Sequence, residues 1–499
     1  MTTLETIGSA PAVNRSLIKT GRGALTLALL LLVQFLDFLD VSIVNVALPS
    51  IRHDLGFSEQ SLQWVVSGYV LTYGGLLLLG GRAADLVGRR RILVSGLTLF
   101  AFASLAGGLA QAEGLLVGAR LAQGAGAAMM SPAALSVLTT TFTERRDRNL
   151  AVGAWAAVPG LAGATGVVLS GILTQGPGWR WIFYLNVPVA ILAGLGALVL
   201  LGAEPPRNSK HKFDLRGAAL VTAGMLLFIY GLIRAPEIGW WATETISALA
   251  LAVVLLSAFV LNERRALNPL VPLSILRIKG LAAANVTQLI TFGGLYSMFF
   301  FLSLYMQGVL GYSPSHTGLA YLPLTAGFMI SAAIATPLVP RVGTRPVIAA
   351  GALTAAGGLY VLSHVPVEGA FLVDLLPGVL LVALGAGAVF TGVTTAATEG
   401  VPDVDAGIAS GLLNASMQFG GALGLAVLSA VATDRTDRVL GAGGDLTQAL
   451  TAGFQRAFLL GALIVLAAAL VAGLVGSPYS SAKARTTRLL SAPTDLASE

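Results

Sequence analysis

The stretch ALTLALLLLVQFLDFLDVSIVNVAL, Ala24 to Leu48, decides the fold. It exceeds the roughly 20 mostly apolar residues with which an α-helix crosses a bilayer. It is also too long for the apolar core of a cleaved leader, and Asp37 and Asp40 stand inside it. A retained first membrane span is therefore expected, with Arg15, Lys19 and Arg22 just before it.

Runs of the same kind recur along the chain. Bounded by charges and turn residues, they give fourteen expected helices: 24–48, 61–81, 92–111, 114–136, 150–173, 179–201, 215–234, 243–261, 280–307, 316–339, 345–363, 371–397, 406–432 and 454–476. The composition agrees. Of 499 residues 55% are hydrophobic and 11% charged, with a mean hydropathy of +0.81, too little charge for a soluble surface of this size. The chain lacks cysteine and has four scattered histidines, so no disulfide, thiolate or histidine-cluster metal site is expected.

Basic residues orient the spans, because short cytoplasmic loops are enriched in them. With the N-terminus inside, the inner segments receive 23 of the 30 Lys and Arg residues, and the outer ones only Arg52, Arg180, Arg234, Arg435 and Arg438. Fourteen spans with both termini cytoplasmic give this alternation. The net charge of +6 is then topological, and no nucleic-acid partner is expected. Trp179, Trp181, Trp240 and Trp241 fall at outer ends and read as an interfacial belt.

The longest inner linkers flank one helix pair. The expected organisation is a cytoplasmic tail (1–23), an N-terminal six-helix bundle (24–201), linkers with an inserted helix pair (202–279), a C-terminal six-helix bundle (280–476) and a second tail (477–499). The loop GGRAADLVGRRR after span two and VPRVGTRP at the matching place in the second half suggest two related halves.

The segment Gly81-Arg82-Ala-Ala-Asp85-Leu-Val-Gly88-Arg89-Arg90-Arg91 resembles the loop motif of the major facilitator superfamily. Glycines there permit a tight turn, and an acid among arginines can lock two helices. Leu39-Asp40-Val-Ser-Ile-Val-Asn45-Val-Ala-Leu-Pro49, Arg120-Leu-Ala-Gln123-Gly124-Ala-Gly126 and Trp179 to Pro188 resemble the fourteen-span drug:proton antiporter branch, of EmrB/QacA type. Asn268 to Pro272, Tyr305 to Gly308 and Gly407 to Asn414 are similar to it as well. One departure stands in span five, where Val167 occupies the place of a proline common in those exporters and Pro159 lies two turns earlier.

The resemblance implies an all-α major facilitator fold of two bundles and a proton-coupled exporter of hydrophobic or cationic drugs. Its partners would be the bilayer, protons and a small hydrophobic substrate, its location the plasma membrane. The proton gradient would be its energy source, with no cofactor, no enzymatic activity and a monomeric state. Two alternatives stand beside it: a proton-coupled symporter importing a small metabolite, and a non-transporting membrane sensor.

A carboxylate at the centre of a span costs about 2.5–3.5 kcal/mol on insertion scales, so Asp37 and Asp40 should face a cavity or a partner. At 100° per residue, Gln34, Asp37, Val41 and Asn45 share a stripe of span one, with Asp40 about 60° away. Arg120, Gln123, Ala127 and Ser131 share a face of span four; Ser410, Asn414 and Gln418 do so in span thirteen. Proton coupling is thereby expected of Asp37, Asp40 and Arg120, and a substrate cavity of Gln34, Asn45, Gln123, Asn414 and Gln418. A conformational lock is expected of Gly81, Arg82, Asp85, Gly88, Arg89 and Arg90. Two simpler readings compete: the acids and amides as plain interhelical hydrogen-bonders, and Arg120 snorkelling outward. Phe299, Phe300 and Phe301 read as packing residues first and as cavity lining second. Glycines four apart (Gly114 and Gly118; Gly407 and Gly411; Gly420 and Gly424) read as close helix contacts.

Overall fold

A computed structural model describes residues 18, 20–202, 214–266, 275, 278–398, 401 and 406–473. The two tails, most of both linkers, the Asn268–Pro272 motif and the side chains of Asp85 and Ser410 lie outside the described residues. Among those residues the chain is all helix, without strands. In hydrocarbon each backbone polar group must be satisfied within its own segment, and a helix does this.

The order is α1 (Gly21–Leu55), α2 (Glu59–Val87), α3 (Arg89–Gly108), α4 (Glu113–Thr141), α5 (Arg145–Gln175), α6 (Trp181–Leu200), α7 (Leu215–Ile238) and α8 (Thr243–Arg265). There follow α9 (Lys279–Leu304), prolonged by a π-turn at Tyr305–Val309, α10 (Pro314–Ala320), α11 (Leu322–Val342) and α12 (Thr344–Leu362). The last are α13 (Leu376–Thr398), entered through a π-turn at Phe371–Leu375, α14 (Ala406–Gly441) and α15 (Leu446–Ala472). Short polar side chains set the starts. Thr20 accepts from Gly23 N, Ser58 and Ser61 form a reciprocal capping box, and Ser313 and Asp445 cap α10 and α15.

Each of the fourteen expected stretches overlaps a helix, α10 and α11 sharing one. Twelve segments among the described residues have the length and hydropathy to cross a membrane. The expected count of fourteen is thus not reached on that criterion. α2 is not among the twelve, and α7 contributes only the shorter apolar stretch Arg216–Leu232. Side chains such as Phe102, Leu192, Val199 and Leu470 are more than 60% exposed, which water would not tolerate as a continuous belt and lipid does.

Two other expectations change. The loop foreseen from Thr433 to Gly453 is mostly helix, because α14 runs on to Gly441 with Asp434 and Arg438 paired one turn apart. Trp179 is buried instead of interfacial: its Nε1 donates to Asp54 Oδ2 at 3.0 Å. Trp181 and Trp241 are exposed, as a belt requires.

Helices α1–α6 pack on one another, as do α9–α15, and α7–α8 form a hairpin against α2 and α14. The halves repeat each other locally. Gly88 (φ +112°) joins α2 to α3 and Gly343 (φ +91°) joins α11 to α12, a conformation open to glycine. Eight residues further on, a Cβ at Gly96 would stand 2.8 Å from the Gly126 carbonyl oxygen, and one at Gly351 2.8 Å from that of Gly385. The halves meet where α5 packs on α10, with Ser315 Oγ donating to the Gly171 carbonyl at 3.0 Å, and where Gln307 Nε2 donates to the Val46 carbonyl at 2.8 Å. On α14, Gly420 and Gly424 pack directly on the backbone of α9 at Leu289 and Gly293. Gly114, Gly118 and Gly411 face open space, so they are not the close contacts expected of them.

Candidate functional site

Asp37 and Asp40 sit one turn apart near the middle of α1, 1% and 0% exposed. Asp40 is fully engaged. Arg120 Nη1 donates to its Oδ2 at 2.5 Å, while Gln123 Nε2 and Asn186 Nδ2 donate to its Oδ1 at 2.9 and 2.7 Å. Arg120 in turn donates from Nε to the Val65 carbonyl (2.8 Å) and from Nη1 to Gln123 Oε1 (2.9 Å), and Gln123 also reaches Ser104 Oγ (2.8 Å). A desolvated ion pair holds only when its remaining hydrogen-bonding capacity is filled, and here five helices fill it. Arg120 is 1% exposed, so it does not snorkel.

Asp37 meets hydroxyls only. Tyr69 donates to Oδ1 at 2.5 Å and Tyr73 to Oδ2 at 2.9 Å, with the Tyr73 hydroxyl 3.2 Å from Ser131 Oγ. Among the described residues no cation touches it. Tyr69 and Tyr73, one turn apart on α2, were not anticipated. Their signal was slight: two phenols at helical spacing in an otherwise apolar run. Asn186 stands in the Trp179–Pro188 motif, whose sequence does not reveal Asp40 as its partner.

Between the halves lies a cavity of about 1320 Å³, including the space at its open mouth. Phe38 of α1, Phe292, Tyr296 and Phe299 of α9, Phe328 of α11 and Phe390 of α13 line it. Pro159 and Val167 of α5 stand on the same wall. Phe300 and Phe301 are packed in the core, the latter against Phe454 and Phe458.

The cavity differs from the polar one expected. Of the five residues assigned to it, Asn45 lines it; Gln34, Gln123, Asn414 and Gln418 do not. Gln123 is spent on Asp40. Gln418 lies against Gly74 of α2, and Gln34 is buried one turn before Phe38. The two acids are not on the wall either. Tyr296, which is, lies close enough to feel the charge of Asp37.

Of the residues expected to form a lock, Gly88 makes the α2–α3 turn. Arg89 donates to Thr140 Oγ1 (2.9 Å) on α4, and Arg90 to the Leu198 carbonyl (2.7 Å) on α6. Gly81 faces Pro132, and Arg82 is half-buried.

The description "Major Facilitator Superfamily" matches residues 30–425. The chain is 40% identical to the puromycin resistance protein pur8 of Streptomyces alboniger over 86% of its own length and 85% of that protein's. It is 40% identical to the cephamycin export protein CmcT of Amycolatopsis lactamdurans, over 83% and 86%, and 38% identical to the multidrug resistance protein Stp of Mycobacterium tuberculosis (strain ATCC 25618 / H37Rv), over 80% and 73%. A crystal structure of a bacterial homologue of the human lysosomal transporter Spinster shares the fold, with a TM-score of 0.65 at 17% identity, covering 92% of this chain and 97% of that one. Two similar glycine turns, two packed halves and a cavity between them thus agree with a match over most of the sequence: the chain belongs to the Major Facilitator Superfamily.

Proposed function

We propose that this membrane transporter exports hydrophobic drugs or antibiotics by alternating access, in exchange for protons. The observation that carries the reading is the apolar cavity between the halves together with Asp37, a buried carboxyl bonded to two tyrosine hydroxyls and, among the described residues, touched by no cation. Relatives named for resistance and export, at 38–40% identity, favour outward movement over uptake.

Asp40 and Asp37 divide the work. Asp40 is clamped by Arg120, Gln123 and Asn186 and holds α1, α4 and α6 in register. Asp37 exchanges the proton, because its hydroxyl partners can donate to the carboxylate and accept from the acid. A proton moving inward through a 100 mV potential supplies about 2.3 kcal/mol. Tyr73 and Tyr296 offer the path between Asp37 and the cavity.

The same reading takes α2 and α7 as crossing helices, which makes fourteen spans with α7–α8 inserted between the bundles. At about 1.5 Å per residue, their 29 and 24 residues reach roughly 43 and 36 Å, enough to span the hydrocarbon. The basic loops support a cytoplasmic position for both termini. Arg82, Asp85, Arg89 and Arg90 serve there as the lock.

The test is uptake into inside-out vesicles from a strain lacking its own pumps. Acidifying the lumen should drive drug inward, and the protein should lower drug sensitivity of the same strain. An importer would not accumulate its substrate under that gradient.

A further inference from the structure

We infer that the cavity selects uncharged, ring-bearing molecules and rejects permanent cations. This deepens the export reading and rests on it. Every residue on the wall is neutral, and the wall is mostly phenylalanine and aliphatic side chain. Its polar handles are few. Ser42 Oγ is committed to the carbonyls of Leu39 and Ala162, and Thr325 Oγ1 to that of Tyr321. The Asn45 amide donates to the Val41 carbonyl, which leaves its Oδ1 to accept from a ligand. Ser67 Oγ is buried on the same wall with no partner among the described residues. The Tyr296 hydroxyl is the third handle.

A wall of rings also attracts cations, so two effects compete. An organic cation entering here leaves water and meets no counter-charge on the wall itself. Asp40 is neutralised by Arg120, and Asp37 is bonded to the Tyr69 and Tyr73 hydroxyls and is not on the wall. The loss of hydration for an uncompensated charge outweighs the attraction of ring faces. A neutral polycycle loses little on entering, gains stacking, and satisfies Asn45 with one donor and Ser67 or Tyr296 with one acceptor.

The probes are Nile red, neutral and aromatic, and tetraphenylphosphonium, a permanent cation of similar bulk. Binding is measured on the purified full-length protein in lipid nanodiscs. Nile red should bind saturably and tetraphenylphosphonium at least tenfold more weakly. Ala386→Trp, which fills the cavity from α13, should abolish the saturable Nile red signal while elution and helicity stay unchanged; Ala386→Leu serves if the larger residue prevents folding. Val41→Asp, which puts a carboxylate on the wall, should raise tetraphenylphosphonium affinity at least tenfold. Tetraphenylphosphonium binding as tight as Nile red in the unaltered protein overturns the selectivity and leaves export standing. A Nile red signal that survives both fillings overturns the cavity as the site. Binding of neither probe, together with no drug uptake in vesicles, overturns the export reading itself.

Discussion

Tyr69 ties the two acids of α1 together: its hydroxyl donates to Asp37 Oδ1 at 2.5 Å, and the guanidinium that holds Asp40 lies 4.6 Å above its ring. One side chain thus touches both a fixed ion pair and a carboxyl held only by hydroxyls. This contact separates the first two predictions.

Asp37→Asn should abolish drug uptake driven by an acid lumen while sparing drug-for-drug counterflow. The amide keeps the volume and the tyrosine contacts but carries no exchangeable proton charge. Unchanged proton-driven rates in inside-out vesicles would remove Asp37 from the coupling.

Asp40→Asn should act on stability first. It leaves Arg120 as an uncompensated buried charge, a loss of about 3–5 kcal/mol, read as a lower unfolding temperature in detergent. The double change Asp40→Leu with Arg120→Met should recover much of that loss, since removing both charges also removes the desolvation cost. If the double variant is no more stable than the single one, the clamp is not the reason.

Gly424→Ala should destabilise by about 1–3 kcal/mol, because its Cβ would run into the backbone of Gly293 on α9. Gly118→Ala, facing open space, should be neutral or stabilise by about 0.5–1 kcal/mol. Thermal unfolding of the two variants side by side checks the contrast.

Gly171→Ala should hinder the closed contact between the halves. A Cβ there would lie 2.7 Å from the Pro314 carbonyl oxygen and from Ser315 Cα. Turnover should fall severalfold, and a lone cysteine at Asn45 should change its accessibility to an impermeant maleimide. The native chain has no cysteine to interfere. Gly153→Ala, on the same helix with nothing near it, should leave both readings unmoved.

Asp85→Asn should slow turnover with little change in drug affinity, if the arginine-rich α2–α3 turn is a lock. A collapse of affinity at normal turnover would contradict it.

The helices were legible because lipid imposes a simple rule, a long apolar run bounded by charge, and α1 obeys it from end to end. The acids and Arg120 were legible for the opposite reason: a charge in such a run stands out. Their partners were not. Which helix brings Asn186, Tyr69 or Tyr73 to α1 depends on packing between distant segments, about which spacing along one helix is silent. The cavity was misread for a physical reason. Polarity alone suggests Gln34, Gln123 and Gln418 for its lining, but Gln123 is bonded to Asp40 and Ser104, while Gln34 and Gln418 are buried off the wall with their Oε1 atoms lacking partners among the described residues. What remains to face the opening is Phe38, Phe292 and Phe328, whose periodicity is that of any packed helix.

The seat of Asp37, bonded to Tyr69 and Tyr73 and off the cavity wall, has an outcome for how such a transporter adapts. In the proposed scheme the cargo never touches the group that converts the gradient, so the residues that choose the cargo are free to vary independently of those that harness energy. Exchanging Phe328 or Val382 would retune the range of compounds carried and leave the driving stroke, with its cost in protons, as it was.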